Sequence, residues 1–474
     1  GSTTVGTEGW VLGGDFVKSS GTLTISQTDL KLDNDLTLTS DEALSFVNLN
    51  LNHKTLTLGS ATSDLTVINP LTISTTTEGI STGGADLILN TFLKIDGEGS
   101  VTSTSGEVSL LAGGRLSGSG ELDLSGSTWV LGGDFEKRPV VGSPSSGTLT
   151  ISQTDLKLAD NSTLTSDEAL NFVNLNLNDY ALTLGSSTSD LTVQNAITID
   201  SSGEGILTGE ADLILLSSLN MSQGLLGSTG GTWVLSKDFL KSGGTLTISQ
   251  TDLELKDSIK LTSDQALSFV FVTLNLNNFT LTLGSSTSDL TVQNAITIDA
   301  STEGISTGEA DLILLSALTM SNGLLESTGG AIKLAHDQTS IFSENAFMML
   351  DETLLTSDDG IGIAFIEIDG EPDLSMTDSS QVSYITLSIT SGTAGSISTA
   401  GGVDCLNNCT GFVETGAYGF NTHGLYRKVT SANWMLSESS GERKTATLAV
   451  KLLSRPLSDV EVILSSSDTS EATL

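Results

Sequence analysis

Ser288-Asp289-Leu290-Thr291-Val292 is followed 22 residues later by Ala310-Asp311-Leu312-Ile313-Leu314, and Ala295-Ile296-Thr297-Ile298 returns 22 later as Ala317-Leu318-Thr319-Met320. The first two tokens occur together twice more, as Ser63–Val67 with Ala85–Leu89 and as Ser189–Val193 with Ala211–Leu215. Asp64 to Asp86, Asp190 to Asp212 and Asp289 to Asp311 are each 22 apart. A fixed period of this size marks a solenoid, whose units bury their apolar faces only by stacking. Within each token Leu, Ile and Val alternate with Thr, which is strand period rather than helix period. Runs of four or five such residues are broken by corners such as Gly284-Ser285-Ser286-Thr287-Ser288. Short strands, frequent corners and a constant coil length predict an all-β fold: a right-handed parallel β-helix with coils of about 22 residues. Leu290, Val292, Ile296 and Ile298 should stack on Leu312, Leu314, Leu318 and Met320, with Thr291 and Thr297 facing solvent.

The irregularities obey the same rule. Ala85 to Trp129 spans 44 positions where Ala211 to Trp233 spans 22, so the first long repeat carries one more coil. Seven extra residues around Arg138–Pro144 in the second copy read as a corner loop, and two are gained near Phe271 in the third. The long repeat is not a whole number of 22-residue coils, so some coils must differ in length. About 18 to 20 coils at a rise of about 4.8 Å predict a rod on the order of 90 Å long. The repeat covers residues 1–330; residues 331–400 read as degenerate coils or a cap over exposed strand edges.

Composition narrows the function. Nineteen basic against 57 acidic residues give a net charge of −38, which repels nucleic-acid phosphates and anionic lipid, so no nucleic-acid role and no membrane insertion are expected. No run of about 18 apolar residues is present. The Gly1-Ser2-Thr3-Thr4 start has no basic, apolar leader, so any secretion signal is expected either to have been removed or never to have been part of this sequence. Cys405 and Cys409, four apart in a Gly-rich context without neighbouring His, favour a disulfide in an oxidising compartment over a metal site.

Catalysis finds little support. Asp33, Asp35, Asp41 and Glu42 fall in corners and recur as Asp160, Asp167 and Glu168, which reads as solvated turn carboxylates rather than one catalytic pair. His53, His336 and His423 are scattered, and no Gly-x-Ser-x-Gly elbow occurs. The chain is therefore expected not to be an enzyme and to require no cofactor. Asp369, Glu371 and Asp373 place three carboxylates at alternate positions and are candidate calcium ligands, weighed against a solvated acidic turn. Trp10, Trp129 and Trp233 open equivalent coils, each followed by Val-Leu and then Asp-Phe. They read as a structural junction, with a sugar-stacking surface as the alternative.

The Thr-Leu-Thr-Leu-Gly-Ser coils resemble the stalks of secreted bacterial adhesins and autotransporter passengers. Residues 401–428 contain Gly401-Gly402-Val403-Asp404-Cys405-Leu406-Asn407-Asn408-Cys409-Thr410, which resembles a paired-cysteine segment of bacterial surface proteins and implies a Cys405–Cys409 bond. Within residues 429–474, Ser437–Glu442, Ala446–Leu452, Asp459–Val462 and Ser467–Ala472 resemble the first half of a Calx-β sandwich. That resemblance implies a small β-sandwich-like region and calcium ligation by Glu438 and Asp468. The expected function is an extracellular, cell-surface structural protein. It would form a fibre, sheath or adhesin stalk by homo-oligomeric, head-to-tail contacts through its termini, with a surface glycan or protein as receptor. The alternative is a carbohydrate-binding or polysaccharide-cleaving β-helix resembling tailspikes or lyases; a groove of unrepeated acidic and aromatic side chains would favour it.

Overall fold

The computed structural model describes residues 2–5, 9–25, 27–139, 146–265, 269–343 and 345–359. Beyond these it describes the strand segments 364–369, 373–376, 381–383, 385–391, 397–399 and 404–407. All secondary structure among them is β, and every strand pairing is parallel between successive coils, so the fold is a parallel β-solenoid. Contacts group the chain into two compact units, Gly1–Ser288 and Asp289–Leu474.

In the first unit most coils contribute three short strands, one to each of three sheets. Leu65–Val67, Leu71–Ile73 and Gly79–Gly83 form one coil, and each pairs with its counterpart in the next: Leu87–Leu89, Leu93–Ile95 and Ser100–Ser103. In the second unit Leu290–Val292 pairs with Leu312–Leu314 and Ile296–Ile298 with Leu318–Met320, in the expected register of Leu290 on Leu312 and Ile298 on Met320. All eight inward residues of those two coils are essentially solvent-free. Such ladders stabilise by roughly 1.5–3 kcal/mol per buried aliphatic side chain before entropy is subtracted. Thr297 is exposed as expected, but Thr291 is buried. Its register partner in the next coil is Ile313.

Strand pairing accounts for each irregularity of the repeat. Leu87 pairs with Val108 and Val108 with Trp129, whereas in the second copy Leu213 pairs directly with Trp233: the additional coil lies between. The register step from Trp129 to Leu156 is 27 residues, against 20 from Trp233 to Leu253, so the seven-residue insertion leaves the flanking ladders paired. Residues 140–145 of that insertion lie outside the described set. Leu30 to Leu49 and Leu156 to Leu175 are 19-residue steps, and Leu253 to Leu274 is 21, which locates both the short coil and the two residues gained near Phe271.

Corners are made by residues that tolerate left-handed backbone. Asn52-His53, Asn178-Asp179 and Asn277-Asn278 each hold two consecutive positive φ angles, between 50° and 73°. Asn, Asp and His are enriched in that region because a short polar side chain offsets its cost. Asn52, Asn178 and Asn277 also each donate through Nδ2 to a carbonyl of the preceding coil (Leu32, Leu158 and Leu255, at 2.9, 3.1 and 3.1 Å).

Candidate functional site

The 22-residue aspartates have a common task. Asp64, Asp190 and Asp289 each accept through Oδ1 the backbone N–H of Asp86, Asp212 or Asp311 in the next coil, at 3.0, 2.9 and 2.9 Å. Asp86, Asp212 and Asp311 repeat the contact one coil on, to the amides of Glu107, Thr232 and Ala331 at 2.7, 2.7 and 2.8 Å. A corner amide between strands has no ladder partner, and a carboxylate supplies a strong, charge-assisted acceptor. Glu78, Glu204 and Glu303 serve another corner likewise: each accepts, through Oε2, an amide four residues upstream, at 2.8, 2.7 and 2.8 Å.

A second tie is built from Lys18, Lys137 and Lys241. Each lies two residues after an inward Phe (Phe16, Phe135, Phe239) in Asp-Phe-x-Lys, so strand alternation turns the lysine inward too. All three are buried, Lys241 with only 1% of its surface exposed. Lys18 pairs with Asp41 and, at 3.1 Å, with Glu42; Lys137 pairs with Asp167 and, at 3.2 Å, with Glu168. Lys241 pairs with Asp264 and reaches Gln265 Oε1 at 3.3 Å. Asp41, Glu42, Asp167 and Glu168, at corners and 35–50% exposed, are thus turn carboxylates that also serve as partners of buried cations. The Asp41 bond raises the pKa of Lys18, and the Lys18 bond holds Asp41 below the usual carboxylate range. Glu42 is lowered first by the Leu23 amide and then by Lys18. Next to each clamp, Ser63, Ser189 and Ser288, all fully buried, accept through Oγ the amides of Ser40, Ser166 and Ser263 at 2.8–2.9 Å. Sequence reading passes over the lysines, although their recurrence two residues after Phe was a usable signal.

Trp129 and Trp233 are 0% and 1% exposed and pack on Phe135 and Phe172, and on Phe239 and Phe271, with ring centroids 4.9–6.1 Å apart. They are core residues and form no sugar-stacking surface.

Of the carboxylates expected to hold calcium, Asp369 ends the strand Ala364–Asp369 and Asp373 begins Asp373–Met376. Glu371, Glu438 and Asp468 lie outside the described residues. Cys405 sits in the strand Asp404–Asn407, in register with Val382, whereas Cys409 lies outside the described residues, as does the whole of 429–474. Among the described residues, one unpredicted group has metal-ligand chemistry: His336, Asp358 and Asp359, with ligand atoms within 4.8 Å of one another. Its geometry is that of an ion pair. Asp358 Oδ1 accepts both the His336 backbone N–H, at 2.7 Å, and Nδ1, at 2.9 Å. This bond raises the imidazole pKa and favours the protonated ring.

One departure from the repeat leaves a small opening on the outward face of the first unit. Phe92, Asp134, Glu136, Thr163 and Thr165 line a notch of about 250 Å³ with the backbone of Gly114 and Phe135. Comparison with family models, with curated proteins and with solved structures finds no match for this chain, so its class rests on its own geometry: a parallel β-solenoid repeat protein.

Proposed function

We propose that this chain is a non-catalytic, extracellular structural protein, a solenoid element of a surface fibre, sheath or adhesin stalk that joins other copies through its termini. The observation that carries this reading is that its recurrent polar residues are spent on holding coils together. Asp64, Asp190 and Asp289 repeat one inter-coil bond three times, and Lys18, Lys137 and Lys241 repeat one clamp three times. A catalytic centre needs one constellation, whereas a scaffold needs the same tie in every repeat. The strongly acidic composition supports solubility outside the cell and sensitivity to divalent cations, with calcium the expected ion. No helix among the described residues is long and apolar enough to cross a membrane.

The test is negative-stain electron microscopy with light scattering on the purified chain, in calcium and in chelator. Filaments with a regular axial repeat, more abundant in calcium, are the expected result. Monodisperse single particles in both buffers would overturn assembly through the termini.

A further inference from the structure

Along one outward face of the first unit, strand alternation and register set two parallel rows of side chains. Leu93, Gly114, Phe135 and Leu164 stack inward in successive coils, so the residues beside them point out. One row runs Phe92, Gly113, Asp134, Thr163, and the next runs Lys94, Arg115, Glu136, Thr165. Gly113 is the break in the first row. Its φ is +75°, and a Cβ there would come within 1.9 Å of the Asp134 carbonyl oxygen, so no side chain can fill the place between Phe92 and Asp134. The 250 Å³ notch lies beside this break and is lined by Gly114 of the same coil.

What surrounds it breaks the repeat. The Phe92 position holds Ser218 in the second copy and Ala317 in the third, the Glu136 position holds Val17 in the first copy and Leu240 in the third, and Gly113 and Arg115 belong to the additional coil. Phe92 leaves 40% of its surface in water, an uncommon exposure for a large aromatic side chain. Arg115 stands only loosely by Glu136, with Nε 4.0 Å from Oε2, and no hydrogen-bond acceptor reaches that Nε. Glu136 instead accepts from Arg138 at 2.8 Å, and Asp134 Oδ1 is fixed by the Thr163 amide at 2.8 Å.

We infer that this notch binds one uncharged sugar ring of a glycan, stacked on Phe92 and hydrogen-bonded by Asp134, Glu136, Thr163 and Thr165. An aromatic face set beside a mixed set of donors and acceptors matches a pyranose, which presents apolar C–H faces and a rim of hydroxyls that both give and take hydrogen bonds. The volume falls below the roughly 300–1,000 Å³ of sites for drug-sized ligands and suits a single ring. A protein partner would need on the order of 1,000 Å² of surface, which a one-ring notch does not supply. The net charge of −38 selects against uronate and sulfated glycans. The inference is independent of assembly through the termini, and neither stands or falls with the other.

The experiment is saturation-transfer NMR and calorimetry on the full chain against cellohexaose, mannohexaose, galactohexaose, chitohexaose and a hexauronate. At least one neutral hexamer should bind, the hexauronate should not, and Phe92→Ser should weaken binding tenfold or more without moving the unfolding transition. Glu136→Leu, the side chain the third copy carries at this place, should weaken it as well. Binding of none of the neutral hexamers, a preference for the hexauronate, or unchanged affinity in Phe92→Ser would each overturn it.

Discussion

Replacing Trp233 by alanine will destabilise its coils by about 3–5 kcal/mol, the cost of emptying an aromatic site in a packed core, while Trp233→Phe will cost about 1 kcal/mol or less. The indole is 1% exposed and lies between Phe239 and Phe271, with centroids at 6.1 and 6.0 Å. Truncation to alanine removes both ring contacts and leaves a cavity that stacked coils above and below cannot close. The conservative change differs because Trp233 Nε1 is buried without a hydrogen-bond partner. Phenylalanine gives up some buried area but also removes a stranded donor, whose burial costs about 1–3 kcal/mol, so the two effects offset. Trp129, with the same stranded Nε1 and the same two-ring setting, should behave alike. Urea unfolding followed by fluorescence of the remaining tryptophans measures both. Equal loss in the alanine and phenylalanine variants would contradict the offset.

The second large effect concerns the buried lysines. Asp264→Ala strips Lys241 of its carboxylate and leaves an ammonium with a fully buried side chain facing only Gln265. Breaking a fully buried pair from one side costs about 3–5 kcal/mol; because Asp264 is 36% exposed and partly screened, the expected loss here is about 2 kcal/mol. Adding Lys241→Met to Asp264→Ala should restore most of it, since an apolar side chain of similar length has no charge to desolvate. If the double variant is no more stable than Asp264→Ala, the lysine is held by its stem rather than by its charge. The equivalent Lys18 clamp adds a pH signature. Asp41 and Glu42 have folded pKa values below their ordinary ones, so their contribution is complete above the ordinary carboxylate pKa of about 4 and is lost as pH falls through the depressed values. Lys18 is raised, so its share is complete below its ordinary value of 10.5 and fades as pH rises beyond it. Between those limits stability should be flat with respect to this clamp.

Much of the fold could be read from the chain because each coil repeats one physical problem. Leu290, Val292, Ile296 and Ile298 alternate with Thr, so strand parity and the 22-residue step suffice to place them on Leu312, Leu314, Leu318 and Met320. The additional coil was legible for the same reason: only an insertion of one whole coil keeps Trp129 in the row of Leu87 and Val108. Lys18, Lys137 and Lys241 were harder to read, because a lysine in an alternating strand suggests an outward residue. Their carboxylate partners lie 23, 30 and 23 residues away, reachable only when the phase of the next coil is known. The notch is less visible still. It depends on Phe92, Asp134 and Thr163 being brought together from three separate coils, and each taken singly is an ordinary residue. The calcium and disulfide expectations at Glu438, Asp468 and Cys409 fall on residues outside the described set, and Asp369, Asp373 and Cys405 are placed there as strand residues only.

Whether the repeated polar residues are ties between coils is tested most directly by native-state hydrogen exchange resolved to single amides. The amides of Asp86, Asp212 and Asp311, although at corners, should be protected comparably to the adjoining strands, and Asp190→Ala should release the Asp212 amide while the strand Leu213–Leu215 stays protected. Exchange of these three amides at the rate of free loops in the unaltered protein would mean that the carboxylates hold nothing, and the structural reading of the repeat would fail.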